Sequence, residues 1–386
     1  MAVPVSGERP IPGVPEQIAT RMAFFIAGFA IAAWAPLVPY AKERLGIDEG
    51  VLGLLLLCLG IGSIVSMPLT GILAARFGCR RVIWCATVVI CLGLPFLALA
   101  STVPSLAVVL LVFGAGIGTV DVTVNIQAVI VEKAARRAMM SGFHGLFSVG
   151  GIVGSGGVSA FLWAGTTPFV AMIGVVVLIL VSLFAFGRAL LPYGSERDAP
   201  LFVVPRGFVL FLGVLSLICF LAEGAILDWG AVFLTSVREV APAQAGWGFA
   251  VFSIAMTICR LTGDRIVQAL GGFRVILFGG ICAAAGLAVV VLAPSWLVAL
   301  IGFGMVGLGA SNIVPVLFST AGRQTVMPPN LAIAAITFLG YTGILLGPAL
   351  IGFVAEAFSL SVALLGVAAL LLFVAASARA ATRVSS

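Results

Sequence analysis

The chain has 386 residues, 62% hydrophobic and only 9% charged, with a formal net charge of +6. That excludes an ordinary soluble domain, in which about a quarter of residues are charged. The surplus positive charge does not imply nucleic acid, because the basic residues follow a membrane topology instead. Apolar runs long enough to cross a bilayer recur along the whole length. They are continuous rather than alternating, so they are helices and not barrel strands.

Residues 1–19 are expected to be a tail; the first 17 hold four prolines and no apolar core, unlike a cleavable signal peptide. Six spans follow at 20–40, 50–74, 82–100, 105–131, 139–163 and 167–189. Span one carries Trp34, and the loop after span two carries Arg76, Arg80 and Arg81. Span four holds Asp121 and, one turn on, Asn125. Asp121 lies about ten residues into the span, ~15 Å deep at ~1.5 Å per residue. An ionisable residue at that depth is by default a functional candidate, here for proton coupling; the structural alternative is a hydrogen bond to a neighbouring helix. His144, the one histidine, lies in span five and serves either as a proton carrier or as a packing hydrogen-bond partner.

A linker is expected at 188–206, dividing a half at 20–187 from a half at 207–379, with a tail at 380–386. The second six spans fall at 207–232, 245–267, 273–293, 295–320, 330–354 and 359–379. In span seven, "LAEGAILDWG" places Glu223 in the outer half as a proton-coupling candidate. Asp228, nearer the rim, is either an outer gate or a solvated helix end. Arg260 and Asp264 sit four apart on span eight, as a gate pair or as substrate ligands. Asn312 falls on span ten and Tyr341 on span eleven. The seven cysteines are scattered, without CxxC pairs. No metal site and no cofactor are expected.

Twelve spans put both termini on one side. Sixteen of the twenty Lys and Arg fall there and three on the other, Lys42, Arg44 and Arg238, with Arg260 inside a span. The positive-inside rule makes the richer side cytoplasmic. The halves also repeat. "LTGILAARFGCRRVI" at 69–83 matches "LTGDRIVQALGGFRVI" at 261–276, and Gly150 and Gly154 match Gly343 and Gly347. "AIAAW" at 30–34 aligns with "AILDW" at 225–229, which sets Glu223 opposite Gly28. "FGAGIGTVD" at 113–121 aligns with "FGMVGLGASN" at 303–312. Two six-helix halves suit rocking about a midplane site.

On these features the chain resembles a major facilitator superfamily transporter over its whole length. Residues 71–81 resemble the superfamily's loop signature, with Ala75 where its acidic residue stands. The pieces 120–150 and 221–230 are similar to the YbjJ-type bacterial inner-membrane branch, distantly related to fucose permease. Such carriers place an acid four residues before an Asn in span four, as Asp121 and Asn125 stand here, and another acid in span one, which this chain lacks. The resemblance implies an all-α membrane protein of the major facilitator fold, twelve helices in two pseudo-symmetric halves, with spans one, four, seven and ten lining the cavity. It makes Trp34, Asn125, Asn312 and Tyr341 candidate substrate contacts, though packing would equally explain Trp34, and Arg76, Arg80 and Arg81 candidate gate residues.

The function expected is secondary active transport by alternating access in a bacterial inner membrane, proton-coupled, of a neutral polar sugar-like solute or a drug-like compound. A non-transporting sensor or receptor on the same fold, or a lipid flippase, is the alternative. No nucleotide-binding loop or nucleophile constellation is present, so an enzyme is not expected. The partners expected are the solute, protons and the lipid bilayer, without nucleic acid, for a monomer.

Overall fold

The computed structural model describes residues 11–47, 49–194, 205–240, 244 and 246–383, and no strand occurs among them. Residues 195–204 of the expected linker, the first ten residues and the last three lie outside the described residues, so Arg9 and Arg197 do too. In the amino half, span one is α1 (Val14–Ala33), continued by a short 3-10 turn and α2 (Val38–Leu45). Spans two to six are α3 (Glu49–Phe77), α4 (Cys79–Leu99), α5 (Val103–Ala135), α6 (Met140–Trp163) and α7 (Pro168–Phe186). In the carboxyl half, span seven is α8 (Gly207–Ser236) and spans eight and nine run on as α9 (Trp247–Leu292). Span ten is cut into α10 (Trp296–Ala310) and α11 (Ile313–Arg323). Spans eleven and twelve are α12 (Pro329–Ala357) and α13 (Leu360–Ala376), and α14 (Ala378–Thr382) ends the fold.

The count of twelve holds because α9 is two helices joined at Gly271, whose φ is 76° and ψ 155°. Gly78, between α3 and α4, has φ 82° and ψ 156°. That backbone region is essentially reserved for glycine. The two glycines stand 193 residues apart, so the same turn is made in each half.

Close helix contacts show the repeat in three dimensions. Gly150 and Gly154 of α6 lie against the backbone of Phe25 and Phe29 in α1; Gly343 and Gly347 of α12 lie against Leu217 and Leu221 in α8. Small residues let membrane helices approach to backbone contact. The offsets are 192 and 193. In spans four and ten, Gly114 faces the Leu59 carbonyl and Gly307 the Phe252 carbonyl, again 193 apart. This corrects two sequence alignments. The packing register sets Glu223 opposite Ile31, not Gly28, and Asp121 opposite Val314 rather than beside Asn312. Tryptophan identity and "FG" identity misled because composition, not packing, produced those matches.

Two of the three basic residues on the poorer side have structural roles. Arg44 donates from Nε to the Ala100 carbonyl at 2.9 Å and from Nη2 to that of Leu97 at 2.9 Å. Arg238 donates to the carbonyls of Val290 and Val291. Each fork closes the carbonyl-bearing end of a helix, α4 or α9, at equivalent places in the halves. Arg44→Ala is expected to cost about 1–2 kcal/mol, since charged hydrogen bonds contribute ~1.5–3 kcal/mol when well buried and Arg44 is partly exposed. Thermal unfolding in detergent checks this; an unchanged midpoint would mean that water replaces the fork at no cost.

Candidate functional site

The site is built on a broken helix. Pro315 has no N–H to give the carbonyl four residues back, which is that of Ser311. Span ten breaks there, between α10 and α11. Arg260 Nε takes up the freed Ser311 oxygen at 3.1 Å. Its Nη2 pairs with Glu223 Oε1 at 2.9 Å, and its Nη1 donates to Ser148 Oγ at 3.3 Å. The Arg260 and Glu223 side chains are 8% and 17% exposed. Ser148 belongs to the amino half, so this one guanidinium joins spans five, seven, eight and ten. Sequence reasoning missed Ser148 and Ser311; the proline after "SNIV" was the available signal.

The expected partnership of Arg260 with Asp264 is not the one observed. Asp264 Oδ1 accepts from the Gly142 backbone N–H at 3.0 Å, at the start of α6 in the other half. Side chains four apart on one helix compete with partners across the interface, and here the interface partners win.

Asp121 is partly buried on α5, and its carboxylate has no hydrogen bond or ion pair among the described residues. Tyr341 of α12 lies at a tilt to the Phe220 ring, 6.3 Å between centroids. Asn125 donates to the Asp121 backbone carbonyl at 2.9 Å, which leaves its own oxygen buried without a partner. Asn312 donates to Cys259, and its oxygen is likewise unpartnered. Gly263 makes room for that oxygen, since a Cβ there would collide with it. His144 sits between Phe24 and Phe318, centroids 5.3 and 5.7 Å away, with a buried Nε2 that bonds nothing. Trp34 is buried and its Nε1 is also unpartnered. Asp228 is exposed on α8.

The loop arginines do other things. Arg80 Nε donates to the Leu190 carbonyl at 2.7 Å, tying α4 to the end of span six within one half. Arg76 is exposed and lies over the Phe77 ring, and Arg81 is exposed.

On the basic side the two halves are latched. Besides the Asp264–Gly142 bond, Gln268 donates to the Ala138 carbonyl at 3.2 Å and Asn330 Nδ2 to that of Gly71 at 2.9 Å. Arg323 Nη1 stands 4.0 Å from Glu132 Oε1. Ala75 stands where the superfamily's loop signature has its acid, and Asp264 of the other half bonds across to Gly142. Asp264→Ala is expected to raise solvent access to α6 from the basic side, read as faster hydrogen exchange over residues 138–145. Unchanged exchange would show that the remaining bonds hold the latch without it.

The chain is a membrane-spanning bundle of two repeated halves that meet around a buried ion pair and a broken helix. A family model described as Major Facilitator Superfamily matches residues 22–237. An uncharacterized MFS-type transporter of Yersinia pestis is 60% identical over 373 residues, covering 96% of this chain and 97% of that protein. The fold is similar to that of the E. coli fucose:proton symporter FucP, with a TM-score of 0.77, 14% identity, and 95% and 98% of the two chains covered. It is also similar to the proton:xylose symporter XylE, with a TM-score of 0.73, 12% identity and 95% of each chain covered. The chain belongs to the major facilitator superfamily.

Proposed function

We propose that this protein is a proton-coupled secondary transporter of the bacterial inner membrane, with both termini cytoplasmic, that moves a small neutral polar solute by alternating access. The observation that carries the reading is the Glu223–Arg260 pair, whose guanidinium also holds Ser148 of the opposite half. A proton taken by the Glu223 carboxylate removes the charge that compensates Arg260. Arg260 must then find another partner, and its hold on Ser148 changes with it. Protonation is in this way linked to how the halves meet. The latches on the basic side describe a state closed to the cytoplasm, ready to take solute and proton from outside.

An anionic solute does not suit the site, because its one guanidinium is already balanced by Glu223 and Asp121 has no counter-charge among the described residues. The oxygens of Asn125 and Asn312 and the indole of Trp34, buried and without partners among the described residues, supply both acceptors and a donor once rocking of the halves uncovers them, as a polyhydroxylated solute requires. Both structural neighbours are proton symporters of sugars, in line with this choice.

The test uses purified protein in liposomes and a panel of neutral sugars and sugar alcohols. A transported member should enter faster when the outside is made acidic, and its entry should alkalinise the outside medium. Glu223→Gln should abolish the acceleration while leaving solute exchange measurable. Uptake without proton movement would overturn coupling; no uptake of any panel member would overturn the solute class.

A further inference from the structure

On the basic face, where the halves meet, lies a cavity of about 300 Å³. Lys133, Arg136 and Arg137 of the amino half line it from one side, and Arg323 of the carboxyl half from the other. The only carboxylate in its lining is Glu132, and that one is engaged. Its Oε2 accepts from the Met139 and Met140 backbone N–H groups at 2.8 and 2.9 Å, and its Oε1 stands 4.0 Å from Arg323. Among the described residues Arg137 bonds a neutral partner, Gln17, at 3.0 Å. Lys133 and Arg136 have no hydrogen bond or ion pair among the described residues.

Two further observations point to a ligand and not merely to topology. The positive-inside rule accounts for basic residues in cytoplasmic loops, but not for their convergence, from both halves, on one walled space. Arg136 also adopts φ 51°, a left-handed helix end that glycine normally takes. A long cationic side chain is thus held where the backbone disfavours it.

We infer that this cleft binds a phosphate-bearing anion from the cytoplasmic side and, bridged between the halves, holds that side closed. The orientation rests on the reading given under Proposed function; the binding itself does not. Guanidinium forks match phosphate oxygens two at a time, and an ammonium adds a point charge. Four cations against one engaged carboxylate favour a multiply charged group over a single carboxylate. The phosphate can belong to a soluble metabolite or to the head group of an anionic phospholipid.

Inorganic pyrophosphate is the probe for the soluble source, titrated by calorimetry into the full chain in nanodiscs of phosphatidylcholine. Saturable binding is expected that sodium chloride of equal ionic strength does not reproduce. The Arg136→Gln/Arg137→Gln/Arg323→Gln variant should bind about tenfold more weakly or worse, a loss of ~1.4 kcal/mol or more. Arg379→Gln, a basic residue elsewhere on the same face, should bind like wild type. Discs containing phosphatidylglycerol separate the sources. If that lipid abolishes pyrophosphate binding to the wild type, the head group is the occupant; if binding persists, a soluble anion is. Pyrophosphate or the lipid should also slow hydrogen exchange at residues 138–145. Binding no stronger than the salt control, or equal in the triple variant, overturns the site. Saturable binding without slower exchange overturns the bridging.

Discussion

Glu223→Ala is expected to destabilise the protein by about 3 kcal/mol and to abolish coupled transport. Removing one member of a buried pair costs ~3–5 kcal/mol because the other charge is left uncompensated. Glu223 keeps 17% exposure, so some water reaches it and the lower figure applies. Arg260 would retain Ser311 and Ser148, both neutral. The double variant Glu223→Ala/Arg260→Met removes the stranded charge with its partner. It should unfold within about 1 kcal/mol of wild type, since apolar replacement of a buried pair is often neutral or stabilising, and it should still not transport. Thermal unfolding of the three proteins in detergent makes the comparison. If the single variant unfolds with wild type, the pair contributes nothing to the fold, and its role in joining four spans is lost as well.

Gly150→Val and Gly343→Val are expected to be severely damaging to the bundle, at equivalent places in the two halves. A Cβ at Gly150 would fall on the Phe25 carbonyl, and one at Gly343 on that of Leu217. Both obstacles are backbone, so no side chain can turn aside. The helices must part, and overpacking of about 1–3 kcal/mol or more follows, together with lost contacts along α1–α6 or α8–α12. Gly156→Val and Gly157→Val are the controls, because a Cβ there meets nothing within 4 Å. The first two variants should yield little monodisperse protein, and the controls should purify like wild type. Equal yields across all four would refute close packing at these glycines.

What the sequence by itself determined was the class of molecule. Hydrocarbon imposes a single rule on the backbone, so span number follows from runs of apolar residues, and sidedness was expected from counting arginines and lysines. Glycines 150, 154, 343 and 347 were legible as a repeat because their spacing is set by helix geometry. The depths expected for Asp121 and Glu223 rest on the same helix geometry. The partners were not. Asp264 bonds Gly142, 122 residues away. Arg260 meets Glu223, 37 residues away, and Ser148, 112 residues away. Periodicity says which face of a helix a residue takes, but not which helix comes to meet that face. The choice of Glu223 over Asp264 for Arg260 was made by the tertiary structure. It brings span seven to one side of span eight and the start of span five to the other. The same is true of the cleft at Arg136 and Arg323, whose walls come from opposite halves. In the sequence those residues are only two basic loops, because what converges on a site depends on how the halves dock, and no local pattern encodes that.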